Sequence, residues 1–346
     1  MKVIRIYLGD LVHNYQSLGP FAFPLNVGYV AAYANKYFEG DAQLEFKLFK
    51  DPQGMLSAAK ESPPDFVGLS NYTWNENLNL QVLQQIKQYE PRVISLMGGP
   101  NYNFFGEEQY FLDRPFLDYY VVNQGETGFL NLLHRYVEDA LPHQEHTNPE
   151  IDNVAYYDIE QQRTVKGDIT KRFKELDIIP SPYLEGLLDE FFEQDLLIPI
   201  METMRGCPFG CTFCAWGERR AKINKFSLER IEAELEYIAG RIKFSTYLYL
   251  GDSNFGMLRR DAEIASIVRR IYDRTGYPSH FHSDWAKNSS KRVIGIAATL
   301  GEIVPSVTVA YQSMDPVTLV NIKRKNISLK QLDEVRHAVR ESGVET

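Results

Sequence analysis

Cys207, Cys211 and Cys214 are the cysteines of a 346-residue chain, and they fall in one short run, Cys207-Pro-Phe-Gly-Cys211-Thr-Phe-Cys214. Three cysteines scattered at random over such a length would cluster this closely about one time in a thousand. An odd count in a tight group argues against a disulfide framework and points to metal ligation. A structural zinc site normally closes with four ligands. A [4Fe–4S] cluster has four irons, so three thiolates leave one iron open to bind and activate a ligand. Zinc is the plainer alternative. His280 and His282 are the candidates for its fourth ligand, but neither has finger-like spacing from the cysteines. Gly206, Pro208 and Gly210 suit a loop that folds tightly around a cluster.

The elements around the loop give it a place. From residue 196 onward, strand patterns at 197–203, 246–250, 280–285 and 307–312 alternate with helix patterns at 227–242, 260–275, 289–300 and 328–342. These are four βα units. The cysteine loop follows the first strand, at the carboxyl end where such barrels carry their active sites. The N-terminal half alternates as well, with strands at 3–8, 43–49, 66–70, 93–97 and 119–122. Its helices lie at 25–38, 78–89 and from 125 to about 140, a pattern that implies a parallel, doubly wound sheet. Ligands of such sheets bind beyond the carboxyl ends of the strands. Those ends carry Gly9-Asp10, Ser70-Asn71-Tyr72, Gly98-Gly99-Pro100 and Gly125-Glu126. Small residues there let a ligand approach the backbone, although βα connections use Gly and Asn in any case. Residues 141–195 read as a linker with a hairpin, 153–157 against 163–166, followed by the extended Ile178-Ile179-Pro180-Ser181-Pro182-Tyr183. The expected division is 1–140, 141–195 and 196–346.

Composition narrows the function classes. Hydrophobic residues are 44% and charged residues 24%, ordinary for a globular chain. Lys plus Arg number 37 and Asp plus Glu 46, a formal charge of -9 that argues against broad binding to nucleic acid or an anionic membrane. No apolar run reaches the ~18 residues of a membrane span. The N-terminus is too short and charged for a signal peptide, so the expected location is the cytosol.

The cysteine motif, with Met204-Arg205-Gly206 before it and Ala215-Trp216-Gly217 after it, resembles that of radical S-adenosylmethionine (SAM) enzymes. The N-terminal half is similar to the cobalamin-binding domain of one branch of that superfamily. Pro24-Leu25-Asn26-Val27-Gly28-Tyr29, Val67-Gly68-Leu69-Ser70 with Tyr72-Thr73-Trp74-Asn75, Gly98-Gly99-Pro100 and Gly125-Glu126-Thr127 carry that likeness. The resemblance implies an α/β chain: a flavodoxin-like sheet followed by a partial (β/α) barrel of the TIM type. It implies a [4Fe–4S] cluster on Cys207, Cys211 and Cys214 whose open iron chelates SAM. Reductive cleavage then gives methionine and a 5′-deoxyadenosyl radical that abstracts hydrogen from a substrate. It further implies cobalamin as a possible third cofactor, methyl transfer as one outcome, a small-molecule or natural-product substrate, and a reductant such as flavodoxin or ferredoxin.

Site residues follow from the same resemblance. Asp252 and Ser253, at the end of the second barrel strand, are placed at the SAM amino group. Ser283 and Asp284 end the third strand, and Gln312 and Ser313 the fourth, where the ribose or carboxylate of SAM is met. Arg324 is placed at the SAM carboxylate. Gly98, Gly99, Gly125 and Glu126 form the cobalamin-type face. No residue is assigned as catalytic.

Two departures stand out. Asp10 and His13 do not reproduce the Asp-x-His-x-x-Gly cobalt-ligand motif. The segment Gly343-Val344-Glu345-Thr346 reads as the approach to a fifth strand, so a fragment or a partner-covered edge is expected. Two other readings are therefore carried: an inactive cobalamin-binding-like module, and a zinc-stabilised scaffold.

Overall fold

The computed structural model describes residues 2–13, 21–138, 150–214, 222–286, 290–308 and 310–341. It divides into two compact units.

The N-terminal unit is built on a seven-stranded sheet. Its strands are β1 (Lys2–Gly9), β2 (Ala42–Phe49), β3 (Phe66–Ser70), β4 (Ile94–Gly98), β5 (Tyr119–Val121), β6 (Val154–Asp158) and β7 (Arg163–Lys166). They lie in the order β2-β1-β3-β4-β5-β6-β7. The first five are parallel, in the flavodoxin-like doubly wound order. Phe66–Ser70 is buried at every position, because a central parallel strand is covered on both faces and so carries no alternation. The helices are α1 (Leu25–Tyr37), α2 (Pro52–Glu61), α3 (Glu76–Tyr89), α4 (Glu107–Leu112) and α5 (Gly125–Val137). Asp51 caps α2 by accepting from the Gln53 and Gly54 amides, with Pro52 in the first turn, where its missing N–H costs nothing. Asn79, Val82, Leu83 and Ile86 form the buried stripe of α3 at helical spacing.

The hairpin expected in the linker instead extends this sheet: β6 runs antiparallel to β5, and β7 to β6. Asp158 shapes its turn by accepting from the Glu160 and Gln161 amides, both at 2.9 Å. The first unit thus takes in Pro24–Arg172 and also Ile179–Leu188.

Gly99 is required by its backbone. Its φ is +138°, and a Cβ there would overlap the Asn71 carbonyl oxygen. Gly99→Ala should lower stability by about 1–3 kcal/mol, read as a shift in the urea midpoint at constant slope.

The C-terminal unit holds a three-stranded parallel sheet of β8 (Ile200–Met201), β9 (Tyr247–Phe255) and β10 (His280–Trp285). Its helices are α6 (Leu228–Ala239), α7 (Asp261–Thr275), α8 (Ser290–Leu300), α9 (Pro316–Asn321) and α10 (Leu329–Glu341). Three expectations are corrected here. The strand expected at 197–203 is broken at Pro199, which has no N–H to donate; Leu197–Ile198 pairs instead with Phe21–Ala22. The strand expected to stop at Leu250 runs on to Phe255, with a register shift between Leu250 and Phe255. The fourth strand, expected at 307–312, is not formed among the described residues.

Candidate functional site

The cysteine loop leaves the carboxyl end of β8. A two-residue antiparallel ribbon, Met204–Arg205 against Asn224–Lys225, closes its base. Three consecutive residues of β9 then hold three successive points of the loop. Asp252 accepts from the Thr203 amide at 2.8 Å, the Met204 amide at 3.2 Å and the Thr203 hydroxyl. Ser253 Oγ donates to the Gly206 carbonyl at 3.5 Å. Asn254 Nδ2 donates to Cys207 Sγ at 3.4 Å and to Ser253 Oγ at 3.1 Å. Alternation along a regular strand would send such neighbours to opposite faces. The register shift in this stretch is the kind of irregularity that re-aims side chains beside a site. Gly206, just before Cys207, has φ +106°, a left-handed geometry that favours glycine.

On its far side the loop is tied by the Thr212 amide to the Ile322 carbonyl at 3.1 Å, and folded by the Cys214 amide to the Cys211 carbonyl at 3.2 Å. Cys207 and Cys211 are buried and Cys214 is half-buried, all as free thiols. Among the described residues no three His, Cys, Asp or Glu side chains are grouped to hold a single metal ion. Each thiolate of a four-iron cube binds its own iron, so its sulfurs stand farther apart than those around one zinc. The donor set, three soft thiolates on one pinned loop, fits the cube.

The SAM-facing assignments divide. Asp252 does not stand free for an ammonium group: it is 1% exposed and both its oxygens are engaged at the base of the loop. Ser253 is half-buried beside the loop. Alternation turns Ser283 to the buried face of Phe281 and Trp285, where its Oγ has no hydrogen-bond partner, and turns Asp284 to the exposed face with His282. Gln312 is exposed, and Ser313 Oγ accepts from the Asp315 amide at 3.1 Å. Arg324 is 4% exposed; its Nε donates to Asn326 Oδ1 at 2.9 Å and its Nη2 to the Ala310 carbonyl. Its Nη1 is buried without a hydrogen bond, and no carboxylate pairs with it among the described residues. A buried guanidinium with an open donor fits an incoming carboxylate. Trp216 and the basic pair Arg219-Arg220 lie outside the described residues.

Burial raises the Asp252 carboxyl to about 7, against the pull of its hydrogen bonds from Thr203 and Met204. Between about pH 4 and pH 7 the folded chain keeps a proton that the unfolded chain releases. The contribution of this group to stability therefore falls as pH rises through that window and is level above it. Asp252→Asn does not titrate. The difference in urea stability between wild type and variant should slope by up to about 1.4 kcal/mol per pH unit across the window.

In the N-terminal unit, Gly98 and Gly99 end β4, and Gly98 pairs with Val121 at the end of β5. Gly125 serves helix packing, since a Cβ there would lie 3.1 Å from Val30 Cγ2 on α1. Glu126 is buried in the first turn of α5, where the helix dipole favours an acid. The sequence reading named Asn71 and Asn75 but missed Asn79 and the hydrogen bonds by which all three knit this sheet end. Asn71 Nδ2 lies 3.2 Å from the hydroxyls of Tyr110 and Tyr120. Asn75 and Asn79 both donate to the Ser70 carbonyl. Asp10 accepts from Ser70 Oγ and pairs with Lys50 Nζ at 2.8 Å, so its carboxylate is already engaged. A cavity of about 360 Å³ opens beside these ends, lined by Glu76, Asn101, Tyr102, Tyr110 and Arg114 among others. The buried Tyr102 hydroxyl and Asn71 Oδ1 have no hydrogen-bond partner.

Comparison with known proteins matches both units. A family model for the B12 binding domain covers residues 16–133, and one for the radical SAM superfamily covers residues 201–346. The chain is 30% identical over 331 residues to the 2-(S-pantetheinyl)-carbapenam-3-carboxylate methyltransferase of Streptantibioticus cattleyicolor, covering 92% of this chain and 47% of that protein. It is 31% identical over 320 residues to the cobalamin-dependent radical SAM methyltransferase TokK of Streptomyces tokunonensis, covering 87% and 45%. The chain thus spans about half the length of the curated relatives it matches. The solved structure of the cobalamin-dependent S-adenosylmethionine radical enzyme OxsB with aqua-cobalamin bound has a TM-score of 0.73 at 19% identity, over 99% of this chain and 48% of that one, a likeness of fold. With a B12 binding domain ahead of a radical SAM domain, the chain belongs to the cobalamin-binding branch of the radical SAM superfamily.

Proposed function

We propose that this chain holds a [4Fe–4S] cluster on Cys207, Cys211 and Cys214 and uses it to cleave SAM reductively. The observation that carries this reading is the three-point grip of Asp252, Ser253 and Asn254 on the loop that presents the thiolates. The chemistry such a cluster supplies is the one-electron cleavage of SAM to methionine and a 5′-deoxyadenosyl radical. Asp252 fixes where the loop begins, and Ser253 holds the turn at Gly206. The open Nη1 of Arg324 is suited to the carboxylate of SAM. Burial of Cys207 and Cys211 keeps water from the thiolates.

The reading extends to cobalamin at the carboxyl end of the N-terminal sheet, near Gly98 and Gly99, and to methyl transfer onto a small-molecule or natural-product carbon. The methyltransferase names of the two relatives support that extension. A low-potential one-electron donor such as flavodoxin or ferredoxin is the partner this chemistry needs. Free thiols suit a reducing compartment, and the cytosol is the proposed location. No helix among the described residues is long and apolar enough to cross a membrane.

The test is anaerobic reconstitution of the chain with ferrous iron and sulfide, followed by dithionite and SAM. A brown protein absorbing near ~400 nm that yields 5′-deoxyadenosine is expected. A colourless protein with one tightly held zinc, or a cluster that leaves SAM intact, would overturn the reading. Incubation with hydroxocobalamin followed by desalting tests the cobalamin extension: the visible corrin bands should stay with the protein.

A further inference from the structure

We infer that Asn254 is a positioning residue that raises the reduction potential of the cluster, through an amide N–H···S bond to Cys207. The inference rests on the cluster reading above and assigns a part to one residue of this chain. Asn254 is 0% exposed, near the end of β9. Its Nδ2 lies 3.4 Å from Cys207 Sγ and 3.1 Å from Ser253 Oγ, so the donor end of the amide is committed to these two acceptors.

The other end of the amide shows that the residue is not there for packing alone. Asn254 Oδ1 is buried and has no hydrogen-bond partner. Stranding an acceptor in this way is costly, and an apolar side chain of similar size would avoid the loss. What the asparagine supplies and a leucine could not is a neutral donor against the sulfur. Among the described residues, Cys207 is the cysteine at which a side-chain donor is directed.

The electrostatic consequence has a definite sign. One-electron reduction adds negative charge to a cluster and its thiolates. A donor hydrogen bonded to a thiolate stabilises that added charge, more strongly inside a protein than in water, and so makes reduction easier. Removing the donor should lower the potential, and replacing it with a carboxylate should lower it further.

The experiment uses the full chain, reconstituted anaerobically as wild type, Asn254→Leu and Asn254→Asp. The one-electron midpoint of each is read by redox titration monitored by electron paramagnetic resonance. At the wild-type midpoint, the reduced-to-oxidised ratio in Asn254→Leu should fall about tenfold, a shift of ~59 mV to more negative potential. Asn254→Asp should shift beyond that, with iron and sulfide content held in both. If Asn254→Leu takes up no cluster, Asn254→Ser replaces it, since its hydroxyl is too short to reach the sulfur. Variants that assemble the cluster and keep the wild-type midpoint would overturn the inference and leave the cluster reading standing. So would variants that lose cluster equally while the remainder titrates at the wild-type potential, the mark of a purely structural role. A wild-type chain that assembles no cluster would sink the cluster reading itself, and this inference with it.

Discussion

Replacing any one of Cys207, Cys211 or Cys214 with alanine should abolish stable cluster binding while leaving the N-terminal sheet folded. The first half follows from ligand count. Three thiolates already leave one iron without a protein ligand, so a further loss leaves two irons of the cube unheld. The second half follows from the fold, because all three cysteines sit in the C-terminal unit. No strand or core residue of the seven-stranded sheet depends on them. The check is iron and sulfide per chain after anaerobic reconstitution, read beside far-UV circular dichroism. Each variant should show cluster content near background, SAM cleavage reduced to background and an unchanged fold signal. A single variant that retained full SAM cleavage would show that its cysteine is not a ligand.

Asp252→Ala should be the most damaging substitution outside the cysteines. The carboxylate serves two backbone amides and one hydroxyl, at the point where the strand turns into the cysteine loop. Removing it leaves those donors in a dry interior, at a cost of about 1–3 kcal/mol for each one that finds no new partner. Relief from burying a carboxyl group offsets part of this. A net loss of about 2–4 kcal/mol is expected from urea unfolding at neutral pH, with cluster content lowered because the base of the loop is no longer fixed. Asp252→Asn keeps one acceptor and should lose less. Equal stability of Asp252→Ala and wild type would show that the grip on Thr203 and Met204 has no energetic weight.

The cysteines and Asp252 also mark how far sequence reasoning reaches. The cysteines were legible because their types and spacing carry the chemistry, and because the loop follows a strand in a βα series. The N-terminal sheet was legible because its strands are continuous apolar runs bounded by Gly, Asn and Pro, with amphipathic helices between them. Asp252 was found as a residue, but its partners within the chain were not. Its charge suggested an ammonium partner; the fold engages one oxygen with the Thr203 and Met204 amides and the other with the Thr203 hydroxyl. That contact depends on the register between β8 and β9, which no local pattern encodes. Asn254 was missed for a related reason. A single polar residue in an apparent loop gives no signal until β9 is seen to continue to Phe255. The hairpin at 154–166 was recognised as a hairpin, but its pairing with β5 is a long-range choice and so was invisible. The segment at 307–312 has a strand-like local pattern, yet its described residues carry no strand, because propensity alone does not make a ladder.

In the proposed site three thiolates hold a cube by three irons and leave the fourth to SAM. Mössbauer spectroscopy of the chain reconstituted with ⁵⁷Fe, before and after addition of SAM, tests it most directly. The expected result is a four-iron cluster in which SAM changes the isomer shift of a single iron and leaves the other three as they were. Four irons that remain alike with SAM present, or a chain that excludes iron in favour of one zinc, would contradict it.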